Sequence, residues 1–190
     1  MGRIAALIAL IVILLGILFI YNKPQSTQTA VPKAVQANFA DWHLYTSPSE
    51  SFKVFFPSLP QNASSTLTDK ETQQPRTYNT YVSQKPDGTA FIINVITISD
   101  DKGNDEKLLS DLVNELVRAN KDNQLKDMKN GEFRKFKAVD FSINNQDVTI
   151  HGKAIKKGRH IYLISMMKKG EQPDPSEYLF FINSFEVTEK

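Results

Sequence analysis

The sequence predicts an α+β fold in which helices cover both faces of an antiparallel β-sheet, with one transmembrane helix ahead of the domain. From about residue 42 onward, short runs of alternating apolar and polar residues are separated by turn-forming residues. Two of these runs, residues 90–98 and 160–167, are apolar on both alternating faces. A strand of this kind has to be covered on both sides, so the sheet needs a packed layer on each face.

The chain begins with a long apolar segment. Residues 4–20 are seventeen positions without a charge, and as a helix they would span roughly 25 Å. We therefore predict a signal anchor, or transmembrane helix, over residues 1–21. A cleaved signal peptide is the alternative, but the apolar run is longer than a usual signal and no small-x-small cleavage site follows it directly. The short charged head favours an amino terminus inside the cell and an exported remainder.

A linker and one globular domain are predicted to follow the anchor. Residues 22–40 are rich in Pro, Gln, Thr and Ser, which is typical of a flexible linker. Residues 41–190 carry 20 basic and 21 acidic groups, a net charge of −1 (20 − 21), so nucleic acid is not an expected partner. The absence of cysteine excludes disulfides, a thiolate nucleophile and a lipid-modified cysteine.

Three phenylalanines mark the first core strand. In the stretch SFKVFFPSLP, residues 51–60, the side chains of Phe52, Val54 and Phe56 share one face at a period of two. The two prolines end the strand because proline cannot donate a hydrogen bond to a β-ladder. A weakly specified polar stretch then runs to residue 76.

A β-hairpin is predicted next. Residues 77–82 and 89–98 are its strands, and KPDG at residues 85–88 is its turn, with Gly88 at the position that requires a positive φ.

Two helices and a meander complete the predicted domain. An amphipathic helix begins after Asn104 or Asp105, since six apolar residues between positions 108 and 117 recur at helical spacing. A shorter helix begins with Pro175, which suits the first helical position. Between the helices the sequence predicts three antiparallel strands: residues 132–143, 147–155 and 160–167.

This order of elements resembles the PsbP-like domains, whose fold is shared by the photosystem II extrinsic protein PsbP and the Mog-type Ran-binding proteins. The resemblance rests on Y-x-S-P-x-x-x-F-x-V-x-F-P-x-x-P at residues 45–60, G-R-H-I-Y-L-I at 158–164 and F-I-N-S-F-E-V at 181–187. It implies an antiparallel sheet sandwiched by helices, with the phenylalanine strand as an early strand of that sheet. It also implies a non-catalytic binding or assembly subunit, and it carries over no interface residues.

Metal and catalytic motifs are weak in this sequence. The three histidines are isolated, although His151 and His160 could face each other across a hairpin and form a metal site with an acidic neighbour. The acidic run SDDKGNDE at residues 99–106 lacks the EF-hand spacing and is better explained as the start of a helix. No nucleophile elbow, P-loop or dinucleotide fingerprint is present. We therefore expect neither an enzyme nor a bound cofactor or metal.

A basic stretch is the strongest hint of a binding site. Residues 148–170 contain no acidic residue, and their cations could contact anionic headgroups or an acidic partner. Solvated lysines that protect strand edges are the alternative explanation. The candidate residues are Lys153, Lys156, Lys157, Arg159, Lys168 and Lys169.

These observations lead to one leading functional hypothesis and two alternatives. The leading hypothesis is a non-catalytic binding or assembly module of the bacterial envelope. It would be anchored by a single span in the inner membrane, with its carboxy-terminal domain on the periplasmic or extracellular side and a protein partner there. The first alternative is a carrier that holds a lipid or other amphipathic ligand in an apolar pocket between sheet and helix. The second is a hydrolase with an unrecognised site, which would need a nucleophile and a base within hydrogen-bond reach in a concave site. The sequence leaves the oligomeric state open.

Overall fold

A computed structural model describes residues 39–68, 73–99, 103–170 and 172–188. These residues form an α+β domain with ten strands, in two antiparallel sheets, and two helices. The predicted anchor at residues 1–21 and nearly all of the predicted linker lie outside the described residues. Within those ranges, none of the helices has both the length and the apolar character needed to cross a bilayer.

The elements follow one another along the chain as β1 (His43–Thr46), β2 (Phe52–Phe56), β3 (Gln61–Thr68), β4 (Pro75–Gln84), β5 (Ala90–Thr97), α1 (Asp105–Ala119), β6 (Asn123–Phe133), β7 (Phe136–Asn145), β8 (Val148–Lys157), β9 (His160–Lys169), α2 (Pro175–Ser184) and β10 (Glu186–Val187).

The large sheet contains seven strands in the order β3-β4-β5-β9-β8-β7-β6. It is built from two meanders, β3 to β5 and β6 to β9, which join where β5 pairs with β9. These two central strands are buried along almost their whole length, which confirms the prediction that they are covered on both faces. The predicted hairpin is also confirmed, and Gly88 in its turn has a φ of +85°.

Helix α1 covers one face of the large sheet. The side chain of Asn104 caps it by accepting a hydrogen bond from the Lys107 backbone N–H at 3.1 Å. Its buried face, with Leu109, Leu112 and Val113, packs against strand residues that are themselves almost fully buried. The amphipathic spacing predicted this helix because one stripe of its surface is removed from water.

The opposite face is covered by the small sheet, of order β1-β2-β10, together with α2. Helix α2 begins at Pro175, as the sequence predicts, and the side chain of Asp174 caps it. Phe181 on α2 and Phe185, the residue that caps its C-terminus, are fully buried in the same core as Phe52 on β2. The domain therefore has three layers: α1, the large sheet, and a mixed layer of the small sheet and α2.

The phenylalanine strand is not part of the large sheet, and that expectation was wrong. Both edges of β2 pair within the small sheet, one with β1 and the other with β10. Its buried residues Phe52, Val54 and Phe56 have no exposed surface and face the core. The strand therefore packs face to face on the large sheet and is not hydrogen-bonded to it.

Two further boundaries differ from the sequence prediction. Residues 132–143 are not one strand, because the chain turns at Arg134, whose φ is +56°, and β6 precedes that turn. The polar stretch before residue 76 contains a complete strand, β3. Both β6 and β3 are edge strands with largely exposed side chains, so neither has the alternation of buried residues that predicts a strand.

Candidate interaction surfaces

Five of the six predicted basic residues lie at the two ends of the β8–β9 hairpin, and Lys153 lies within β8. Lys156 and Lys157 end β8, and Arg159 lies in the turn that follows. Lys168 and Lys169 lie at the far end of β9, which is ten residues long. The two groups are therefore about 30 Å apart along the strand.

Two of the basic residues are buried and face carboxylates on opposite sides of the sheet. The Nζ of Lys156 lies 2.8 Å from Asp105 Oδ1 at the start of α1. The Nζ of Lys153 lies 2.5 Å from Asp140 Oδ1, on the face that carries the small sheet. The exposed fractions of the Lys156 and Lys153 side chains are 4% and 11%, so both are held within the domain and present little charge to a partner.

The far end of the hairpin carries more exposed ion pairs. The Nζ of Lys168 lies 3.8 Å from Asp87 Oδ2, and the Nζ of Lys169 lies 3.5 Å from Asp147 Oδ2. Pairs at such a surface contribute little to stability, and their carboxylates offset the positive charge of the lysines.

The turn end of the hairpin presents the more open basic surface. The Nζ of Lys157 lies 6.0 Å from the centre of the Phe136 ring, and Lys135 Nζ lies 5.8 Å from the same ring. Arg159 is exposed, and its Nε donates a hydrogen bond to a backbone carbonyl at 2.9 Å. Lys135 is not among the predicted basic residues, because the sequence pattern did not indicate the β6–β7 turn in which it lies. Binding of an anionic partner at this end stays a prediction.

The histidines do not come together as a metal site would require. His151 pairs with Met166 across the hairpin, whereas His160 lies at its turn end, next to Thr97. Among the described residues, no three His, Cys, Asp or Glu side chains are grouped in a way that could hold a metal ion. Asp100 and Asp101 of the acidic run lie outside the described residues.

A polar cluster lies under the β1–β2 turn and contains the almost buried carboxylate of Glu50, which is 8% exposed. Its Oε1 accepts a hydrogen bond from Asn79 Nδ2 at 2.6 Å, and its backbone carbonyl accepts one from the Tyr162 hydroxyl at 3.0 Å. Burial, and secondarily the negative charge of Glu50, raises the pKa of Tyr162 to about 12. These bonds fasten the turn to the large sheet.

The same cluster does not have the geometry of a hydrolase. The Nδ1 of His160 lies 3.1 Å from Thr97 Oγ1 and 4.0 Å from Glu50 Oε2. A nucleophile–base–acid relay needs the hydroxyl and the carboxylate on opposite ring nitrogens. Here both groups are next to the same nitrogen, so proton relay from Thr97 through the ring to Glu50 is not supported.

An apolar surface surrounds the point where the chain enters the domain. The rings of Phe39 and Phe180 stack with their centres 4.1 Å apart, and the ring of Phe55 lies 5.8 Å from that of Phe180. Leu44 lies directly opposite Phe55 on β1 and is 54% exposed, while Leu179 next to Phe180 is 55% exposed. We call these five residues the linker-proximal surface. Phe39 falls in the predicted linker, yet it packs against the core.

Trp42 fixes the position of this surface on the domain. Its ring meets Phe91 of the large sheet edge to face at 4.9 Å and Phe180 of α2 at 5.2 Å. It is 9% exposed. Because aromatic contacts of this kind stabilise packing beyond simple area burial, the first residues of the domain are firmly attached to α2.

A small cavity lies between α1 and the large sheet. It holds about 20 Å³ and is lined by residues of β4, β5, β9 and α1, including Ile96, Leu112 and Ile161. That volume admits about one water molecule, whereas ligand pockets typically measure about 300–1,000 Å³. A lipid could enter only if α1 moved away from the sheet. The carrier hypothesis stays a prediction.

Comparison with known proteins finds a likeness among solved structures. No family model matches the chain, and no curated protein sequence matches it. Among solved structures, it is similar to the solution structure of cyanobacterial PsbP (CyanoP) from Synechocystis sp. PCC 6803. The sequence identity is 12% and the TM-score 0.49, over 83% of this chain and 98% of that chain. The α+β class stands on the observed strands and helices, and membership of the PsbP-like family stays a prediction.

Proposed function

We propose that the protein is a non-catalytic binding or assembly module of the bacterial envelope. Residues 1–21 anchor it in the inner membrane, the linker carries the domain on the outer side, and the linker-proximal surface binds a protein embedded in the same membrane.

The linker-proximal surface is the observation that carries this proposal. Leu44 and Leu179 are each more than half exposed. Leu44 lies opposite Phe55 on the neighbouring strand, and Leu179 precedes Phe180 on α2. The rings of Phe39, Phe55 and Phe180 are only partly buried. Burial of a leucine side chain typically contributes about 1.5–3 kcal/mol. Exposed apolar residues that lie beside partly buried rings are characteristic of a site that is covered by a partner.

The position of the surface favours a partner in the membrane. The domain begins at Phe39, which is itself part of the surface, and only residues 22–38 separate it from the predicted anchor. As a random coil these residues have a root-mean-square span of roughly 23 Å. The linker-proximal surface is therefore held close to the bilayer. There it can contact the part of a membrane protein that protrudes just outside the lipid.

Site-specific photo-cross-linking in intact membranes tests the proposal. A photoreactive amino acid replaces Leu179 in the full chain, and a matched variant carries it at Gln124, an exposed position on β6. We expect discrete protein adducts from position 179 and none of the same adducts from position 124. The substitution Leu44→Asp should reduce the adducts at position 179 by about tenfold, since one leucine contact is lost.

Adducts alone do not support the proposal, because any exposed probe captures some neighbours. Three results would each contradict a protein partner at this surface. The adducts from position 179 could be unchanged by Leu44→Asp, the same adducts could form from both probe positions, or the probe could react with lipid alone.

A further inference from the structure

Strand β3 forms one edge of the large sheet. Its eight residues pair with β4 on one side, and no strand within the described ranges pairs with its other side. In an antiparallel ladder, about half of the residues of an edge strand direct their N–H and C=O groups away from the sheet. The strand is about 27 Å long, so over that length β3 presents a row of backbone groups that no strand of the described part of the chain pairs with.

The two edges of the sheet differ in how they are protected. The opposite edge strand, β6, contains Lys126, Asp127, Lys129 and Glu132, and its pairing with β7 is interrupted between Leu125 and Asp127. Charges and irregular pairing of this kind prevent one sheet from adding to another. β3 has neither: its sequence QNASSTLT contains no charge and no proline, and its pairing with β4 is regular.

We propose that β3 pairs antiparallel with β3 of a second copy of this chain. An uncharged strand is complementary to itself, because no like charges meet when two copies run in opposite directions. Small hydroxyl side chains also pair well across strands, as Thr66 and Thr77 do here at 3.2 Å. Six of the eight β3 side chains are exposed, so main-chain hydrogen bonds would carry the recognition.

The alternation of side chains fixes the registers that such a dimer can adopt. Ser65 and Leu67 lie on the α1 side of the sheet, and Ser64 lies on the opposite side. Directly opposite residues of a continuous sheet share a face, and successive residues of a strand lie on alternate faces. A twofold axis perpendicular to the sheet must therefore pass midway between one residue and its own copy, and a residue cannot lie opposite the copy of its chain neighbour. For pairing along the whole strand, either Ser64 or Ser65 therefore meets its own copy.

Disulfide scanning of the full chain in a non-ionic detergent tests this arrangement directly, because the chain has no cysteine of its own. Single cysteines replace each residue from 61 to 68 in turn. Directly opposite residues of an antiparallel pair are separated by about 4.5–5.5 Å between Cα atoms, which suits a disulfide. We expect oxidised dimer to peak at Ser64→Cys or Ser65→Cys and to fall toward both ends of the strand.

The control is Lys129→Cys, at an exposed position on the opposite edge. For cysteines near the centre of β3, the yield of disulfide-linked dimer should be about tenfold higher than for this control. Ser64→Lys, examined without cysteine by sedimentation velocity, should convert dimer to monomer while the circular dichroism spectrum stays unchanged, because it places like charges at the centre of the pair. A flat cysteine profile, equal cross-linking at Lys129→Cys, or a dimer that survives Ser64→Lys would overturn the proposal. The test does not depend on the membrane partner proposed above.

Discussion

Replacing Gly152 with alanine tests the packing between the large sheet and α1. Gly152 on β8 lies directly opposite Phe141 on β7, whose ring lies over the glycine. A Cβ atom added at residue 152 would lie 2.1 Å from the Cζ of Phe141 and 2.6 Å from its Cε1. The structure therefore predicts that the ring fills the space that a side chain would otherwise occupy.

The cost follows from the size of this overlap. Carbon atoms in a packed core approach to about 3.5–4.0 Å, so the ring or the strand has to shift by more than 1 Å. Phe141 is 5% exposed and packs in the core beneath α1, which leaves it little room to move. Overpacking of this kind typically costs about 1–3 kcal/mol, and in a domain of this size that corresponds to a fall in Tm of about 2–12 °C.

Urea unfolding of the full chain in mild detergent measures the effect. Trp42 is the sole tryptophan, and its contacts with Phe91 and Phe180 make its fluorescence a reporter of packing. Gly152→Ala should lower the free energy of unfolding in the wild-type background. In a Phe141→Leu background the same change should cost about 1–2 kcal/mol less, because the two sites are in contact. An unchanged stability, or equal costs in both backgrounds, would refute the reasoning.

The remaining predictions concern the buried tyrosine and the basic turn. Tyr162→Phe removes the hydrogen bond to the Glu50 carbonyl and should lower stability by about 0.5–1.5 kcal/mol at pH 7. Because burial raises the pKa of Tyr162 to about 12 from an unfolded value of 10.0, wild type should lose stability as pH rises from 10 toward 12. The Tyr162→Phe variant should lose less stability over the same pH range. Free energies of unfolding from urea titrations at several pH values measure this, and an equal decline with pH in both proteins would contradict it. For the basic turn, Lys157→Gln and Arg159→Gln in a fragment beginning at residue 39 should each weaken binding to anionic vesicles about fivefold at low salt. Lys126→Gln, at the opposite sheet edge, should have no effect, and equal binding to neutral vesicles would argue against an anionic partner.

The elements with strong burial signals could be predicted from the sequence. The β4–β5 hairpin combines apolar strands with a turn that needs Gly88, and α1 combines a polar cap with an apolar stripe. The central strands were predicted to be covered on both faces because both of their alternating positions are apolar. In each case a local pattern of apolar residues indicates which side chains are buried, and those side chains are buried in the structure.

The edges of the sheet and the linker-proximal surface could not be predicted in the same way. β3 and β6 are each held by backbone hydrogen bonds to one neighbouring strand. Most of their side chains are exposed, so their sequences lack the alternation of apolar residues that indicates a strand. The phenylalanine strand was recognised as a core strand, but local sequence does not specify which sheet it joins. The linker-proximal surface brings Phe39 next to Phe180, about 140 residues later in the chain. Such long-range contacts depend on the tertiary fold.

Protease accessibility on fractionated cells tests most directly whether the domain is anchored on the outer side of the inner membrane. With epitope tags at both ends, the full chain should sediment with membranes and resist extraction at alkaline pH. Protease added to spheroplasts should remove the carboxy-terminal tag and leave an amino-terminal fragment in the membrane. Recovery of the protein from the soluble cytosol, or a carboxy-terminal tag that is protected until the spheroplasts are lysed, would contradict the account.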